Sequence, residues 1–123
     1  MKTKLLNINP NEESSESQCK KIQDYLQEAE TLTQLECLGL CDCFRLASRM
    51  NDLKKRGLSF DSVFISVPSG KHVKAYYIPE LFASRFKIEK EDEEFKNIVK
   101  SYAEEKVKHY LHQRSKFRRF FFR

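Results

Sequence analysis

Leu32-Thr33-Gln34-Leu35-Glu36-Cys37-Leu38-Gly39-Leu40-Cys41-Asp42-Cys43-Phe44-Arg45-Leu46-Ala47-Ser48-Arg49-Met50-Asn51-Asp52-Leu53-Lys54-Lys55-Arg56-Gly57 holds two helix starts and a helix stop in one short run. Thr33 and Glu36 have the capping-box spacing, in which hydroxyl and carboxylate each satisfy an orphan backbone amide at a helix N-terminus. This predicts a short helix with Leu35, Cys37 and Leu38 inward. Gly39 to Asp42 reads as a turn, and Asp42 is a suitable cap for the next helix. In that helix Leu46, Met50 and Leu53 recur at i, i+4 and i+7, joined by Ala47, as a buried stripe requires. Basic residues in the last turn followed by Gly57 are the expected stop signals.

Upstream, Ser17 is placed to cap a helix whose apolar positions are Cys19, Ile22, Tyr25, Leu26 and Ala29, spaced by threes and fours. The polar stretch before it contains Pro10 and reads as a flexible leader over residues 1–16. Downstream the period changes to two. Val63, Ile65 and Val67 alternate with Phe64 and Ser66, Pro68-Ser69-Gly70-Lys71 supplies turn chemistry, and Val73, Ala75 and Tyr77 resume the alternation. Pro79 ends this hairpin. After a short apolar segment from Leu81 to Phe86, a long amphipathic helix is expected from about Asp92, with Phe95, Ile98, Val99, Tyr102, Ala103, Val107, Tyr110 and Leu111 on one stripe. Helix, short helix, longer helix and β-hairpin is the order of a winged helix-turn-helix domain. The expected class is α+β, mainly α: a domain over 17–79 and a helical extension over 80–123.

At 123 residues the chain has room for one small domain and an appendage. A large cofactor-cleft enzyme is excluded by size, and three glycines cannot supply the phosphate turns of a dinucleotide-binding domain. No apolar run approaches the ~20 residues needed to cross a bilayer, so no membrane partner is expected. The N-terminus lacks the apolar stretch of a secretion signal, which points to an intracellular, cytoplasmic protein with reduced cysteines. The net charge of +5 conceals strong local imbalance. Residues 41–78 hold seven bases and three acids, residues 106–123 hold seven bases and no acids, and the segments beside them are acidic. Two positive blocks point to localised contacts with anions.

The runs Leu32–Leu38 and Cys43–Gly57 resemble a small winged helix-turn-helix domain family common in phages and prophages, with the approximate pattern LTxLEAL…C.RLAxRIxDLRxxG. Here Cys37 stands where that family tends to have Ala, Asp42 lies near its usual turn glycine, and Met50 replaces a usual Ile. The resemblance covers about residues 17–78 and implies the fold and a DNA-binding expectation. It stops before Pro79, leaving the last third of the chain outside it.

With Leu46, Met50 and Leu53 inward, Phe44, Arg45, Ser48 and Arg49 fall on the outer side of the third helix, with Lys55 at its basic end. Arginine forks suit guanine edges or phosphates, and a hydroxyl suits either. Arg49 and Asp52, at i and i+3, also have the spacing of a surface ion pair. Lys71, His72 and Lys74 make the hairpin a basic wing for phosphates, or an ordinary solvated turn. Arg114, Lys116, Arg118 and Arg119 are interleaved with phenylalanines, a pattern suited to nucleic acid, to a partner or to the protein's own core.

The cysteines do not make a metal site: Cys37, Cys41 and Cys43 lack the second ligand pair that structural zinc uses, whether Cys19 or His72 is added. His109 and His112 read as solvated, and Asp52 and Asp61 have no partner carboxylate within reach by spacing. No metal, no cofactor and no catalytic residue is expected. The reading is a non-enzymatic, phage- or prophage-type protein that binds double-stranded DNA in transcriptional or DNA-transaction control. Residues 92–113 would form a homodimer seam or brace the core. The alternative is a protein-interaction module with a host or phage protein partner, such as an inhibitor of a host defence nuclease of the anti-CRISPR kind.

Overall fold

The computed structural model describes residues 14–121, with side chains described through Arg114. The leader expected over 1–16 falls outside the described residues up to position 13. Its last positions are already helical in design: Ser14, not Ser17, caps the first helix, accepting a hydrogen bond from the Ser17 amide at 3.2 Å. Helix α1 (Ser15–Leu26) buries Gln18, Cys19, Ile22 and Leu26. The chain then turns through Ala29 at φ 63° and runs extended through Thr31–Thr33.

Helix α2 (Gln34–Cys41) opens with the expected capping box. Glu36 Oε1 accepts from the Thr33 amide at 3.1 Å, and Thr33 Oγ1 accepts from the Glu36 amide at 3.3 Å. The helix does not stop at Gly39, where a turn was expected. It continues to Cys41, and Asp42 closes it as a C-cap at φ 53°. Asp42 therefore ends α2 instead of starting the next helix; a short polar side chain that tolerates left-handed backbone suits either job. Helix α3 (Leu46–Lys55) follows, with Leu46, Met50 and Leu53 buried as expected. Ala47 is exposed, because it lies a further 100° round the helix from Leu46.

Strands β1 (Asp61–Ser66) and β2 (His72–Tyr77) pair antiparallel, with Val63 opposite Ala75 and Ile65 opposite Val73. The Gly70 amide donates to Val67 O at 2.8 Å, and Gly70 takes φ 90°, the left-handed position that follows a type I turn in a bulged hairpin. Leu32 adds a one-residue third strand: its amide and carbonyl exchange hydrogen bonds with Tyr76, both at 2.9 Å. Helix α4 (Pro79–Phe86) starts with proline in its first turn, where a missing N–H costs nothing. Helix α5 (Phe95–Phe121) starts slightly later than the expected Asp92 and runs to the end of the described residues.

Three buried clusters hold these elements together. Cys19, Ile22, Leu26, Leu46, Met50 and Leu53 join α1 to α3, with Leu32, Tyr76 and Ile78 below them. Ile65, Val67 and Ala75 of the hairpin meet Ala103 and Val107 of α5. Tyr77, Phe82, Phe95 and Val99 form an aromatic knot, with edge-to-face contacts from Phe82 to Tyr77, Phe95 and Tyr102. The stripe on residues 92–113 thus lies against the protein's own hairpin. In this position it braces the core.

Ion pairs reinforce the brace. Lys106 on α5 reaches Glu36 Oε2 at 3.1 Å and Glu30 Oε1 at 3.5 Å, donates to Thr31 O, and stands 4.5 Å over the Tyr25 ring. Arg85 on α4 reaches Glu30 Oε2 at 3.3 Å and donates to Ala29 O at 3.2 Å. Tyr102 donates to Glu30 Oε1 at 2.6 Å. Burial works to raise the Glu30 carboxyl, but the Tyr102 hydroxyl and the charges of Lys106 and Arg85 hold it below the usual carboxylate range.

Candidate nucleic-acid interface

Gln34 builds the entrance to α3. Its Oε1 accepts from the Leu46 amide at 2.7 Å and its Nε2 donates to Cys43 O at 2.6 Å, so one side chain pins both ends of the connecting turn. The residue at the N-cap position, Arg45, makes no side-chain cap bond. A helix start needs its orphan amides satisfied, and here a residue twelve positions upstream does it. Phe44 and Arg45, expected on α3, stand in this turn instead; both are exposed, Phe44 at 71%.

On α3 itself the outward residues are Ala47, Asn51, Lys54 and Lys55, with Ser48 half-buried beside them. Asn51 and Lys54 were not singled out in the sequence, although they share the 3.6-residue face that carries Ala47 and Lys55. Arg49 is turned away from this face. Its side chain is only 16% exposed and pairs with Asp52 at 3.2 Å, and its Nε is buried without a hydrogen-bond partner. Arg56 likewise pairs with Glu16 of α1 at 2.5 Å. By contrast Arg45, Lys54, Lys55 and Lys71 are exposed and meet no acidic partner among the described residues.

The hairpin presents a second set. Lys71 and His72 are exposed at its tip, and His72 Nδ1 lies 3.3 Å from Ser66 Oγ. Lys74 pairs across the strands with Phe64 and holds its ammonium 5.8 Å from that ring's centroid. Both lie on the face opposite the α5 contact, and Phe64 is 61% exposed. The α3 and hairpin sets sit on separate elements, joined through the connection at residues 56–60.

The far end of α5 returns to the helix-turn-helix turn. Leu38 and Gly39 of α2, Asp42 and Phe44 of the turn, and Tyr110, Gln113 and Arg114 of α5 line one cleft of about 640 Å3. Gly39 allows this approach, since a Cβ there would lie 2.7 Å from the Tyr110 hydroxyl. Arg114 is exposed, whereas the side chains of Lys116, Arg118 and Arg119 lie outside the described residues.

Among the described residues no group of three or more His, Cys, Asp and Glu is placed to hold a metal ion. The four cysteines are buried thiols. Burial, together with Cys41 and Cys43 nearby, pushes the Cys37 thiol above its ordinary range. His109 and His112 are exposed. No helix of the described residues is long and apolar enough to cross a membrane.

The winged helix-turn-helix domain family matches residues 17–80, from the first turn of α1 to the start of α4 and just over half of the chain. No curated protein and no solved structure matches it. The matched stretch contains the helix pair, the pinned turn and the hairpin described above, the arrangement through which such domains bind DNA, typically without catalysis. The chain belongs to the winged helix-turn-helix domain family.

Proposed function

We propose that this chain binds duplex DNA with the outer face of α3 in the major groove and the hairpin along the backbone. The role would be non-catalytic transcriptional or DNA-transaction control of the phage or prophage type, exerted inside the cell. One observation carries the reading: Arg45, Lys54, Lys55 and Lys71 are exposed without acidic partners, while the neighbouring Arg49 and Arg56 are paired internally. Unpaired bases are the ones free to release counterions from a phosphate backbone. Within this reading Ser48 and Asn51 face base edges, Phe44 and Arg45 approach the groove from the turn, and His72 and Lys74 support Lys71 on the wing. Arg49 orders α3 through Asp52 and contacts DNA secondarily, if its pair opens.

The test is fluorescence anisotropy on a random-sequence duplex at two salt concentrations. Binding should weaken steeply with salt, and an Arg45→Ala, Lys54→Ala, Lys55→Ala variant should lose about 0.9 of salt slope for each phosphate contact removed. Absence of binding at low salt refutes the reading. A second reading follows from Phe44, an exposed aromatic beside an exposed arginine, residue types enriched at protein interfaces. In it the same face meets an acidic protein surface, as an inhibitor of a host defence nuclease would.

A further inference from the structure

Arg49 is the arginine inside α3, and its pair takes it off the outer face of that helix: the side chain is 16% exposed and held by Asp52 at 3.2 Å. An arginine fork on guanine O6 and N7 is the commonest base-specific contact, so this pairing withdraws the guanine reader from the helix. It also neutralises Asp52, the acid of α3, which would otherwise repel phosphate. What the helix presents in the middle of its outer face is Ala47 and Asn51, both exposed and one turn apart. Asn51 has no structural task there. Asparagine is a poor helix former, and this side chain makes no hydrogen bond among the described residues. Arg45 stands ahead of the helix, while Lys54 and Lys55 lie in its last turn.

We propose that α3 is a reader of A·T base pairs, Asn51 bonding adenine N6 and N7 together and Ala47 packing on a thymine methyl. This rests on the DNA-binding reading above and gives it a base preference. The chemistry of the two side chains selects the bases. A carboxamide offers a donor and an acceptor side by side, the complement of the adenine N6 amino group and N7. Guanine shows two acceptors at that edge and leaves the amide oxygen facing another oxygen. An alanine methyl offers apolar contact alone, and the C5 methyl of thymine is the apolar group of the major groove. Four residues separate the two side chains by about 6 Å along the helix, or about two base-pair steps at 3.4 Å, so they address neighbouring pairs. Lys54 and Lys55 grip phosphate and raise affinity for every sequence alike. A guanine contact from Arg45 falls at the margin of this A·T core, because Arg45 precedes the helix.

The experiment selects duplexes from a random-sequence library with the full chain and measures the winners by anisotropy. They should share an A·T core, and changing its adenine pair to G·C should weaken binding by about 5- to 150-fold. Replacing that adenine by 7-deazaadenine, which deletes the N7 acceptor alone, should weaken the parent and leave Asn51→Ala unaffected. Replacing the core thymine by deoxyuridine, which deletes the methyl alone, should weaken the parent as well. Alanine raises helix propensity at position 51, and an unchanged melt by circular dichroism separates lost preference from lost fold. Selected duplexes that share no A·T pair, or a preference that survives in Asn51→Ala, overturn the inference. A guanine-centred selection abolished by Arg49→Ala overturns it too, by placing Arg49 in the groove. If the Lys54→Ala, Lys55→Ala variant then still binds every duplex more weakly than the parent, the DNA-binding reading survives that failure. No duplex binding by the full chain at low salt overturns both.

Discussion

Lys106→Met keeps the aliphatic stem of the side chain and deletes one charge from between α5 and the helix-turn-helix core. The Lys106 side chain is 19% exposed and the Glu36 carboxylate opposite it is 7% exposed, so water cannot take over the lost ammonium. Removing one partner of a buried pair costs about 3–5 kcal/mol. Two features favour the lower end. Glu36 Oε1 keeps its bonds from the Thr33 amide and hydroxyl, and Glu30 keeps Arg85 and Tyr102. The uncompensated groups are then Glu36 Oε2 and Thr31 O, and the expected loss is about 3 kcal/mol. With a urea slope of about 1.5 kcal/mol/M, the unfolding midpoint followed by circular dichroism should fall by about 2 M. Lys108→Met is the control: its pair with Glu105 is surface-exposed at 3.5 Å, and its loss should cost less than about 0.5 kcal/mol. Adding Glu36→Gln to Lys106→Met should recover much of the loss, because glutamine serves the capping box and leaves no buried charge. A single variant within about 0.5 kcal/mol of the parent, or a double variant worse than the single, refutes this account of the brace.

Acid should weaken the protein through Glu30. Its carboxyl is held below the usual range when folded, so the stabilisation is complete above the unfolded value and lost as pH falls through the folded one. Urea midpoints taken between about pH 5 and pH 3 should therefore decline, and the decline should be shallower in Tyr102→Phe, which lacks the 2.6 Å hydrogen bond; equal declines would remove Glu30 as the cause. Cutting the chain after Glu80, where the family match ends, should uncover Ile65, Val67, Ala75 and Tyr77. At about 1.5–3 kcal/mol for each large apolar side chain, against about 5–15 kcal/mol of total stability, the fragment should lose its cooperative melt and bind a hydrophobic dye. A monomeric fragment with a sharp transition would contradict that.

Local chemistry was the legible part. The Thr33 and Glu36 capping box, the Leu46, Met50 and Leu53 stripe and the hairpin pairing each depend on residues within a turn or two of one another and stand as read. The exception is the end of the second strand, which is buried on both faces, Tyr76 and Ile78 packing into the α1–α3 cluster. Asp42 was misplaced because its local options are degenerate. What decides between them is Gln34, which already satisfies Leu46 and leaves α3 needing no neighbouring cap. Ala47 went astray for a related reason: alanine is as suitable outside a helix as inside, so composition could not orient it. For the site, exposure decided between alternatives that spacing had left open. The i, i+3 spacing offered Arg49 both a pair with Asp52 and a DNA contact; the structure shows the pair, with Arg49 only 16% exposed, whereas Arg45 is open to solvent. Glu30, Arg85 and Lys106 carried no periodic signal at all, since they are brought together only by the packing of α4 and α5.

The single-residue strand at Leu32 has a consequence for synthesis. Its partner Tyr76 emerges from the ribosome long after it, and Lys106, which completes the shell around Thr31 and Glu36, emerges later still. The helix-turn-helix segment is thus translated before the β2 partner of Leu32 and before the Lys106 ammonium that faces Glu36. The domain can close only once α5 has been made, so a surface translated early is finished by residues translated late. Mutations far downstream in α5 should therefore be read out as aggregation of the segment translated before it.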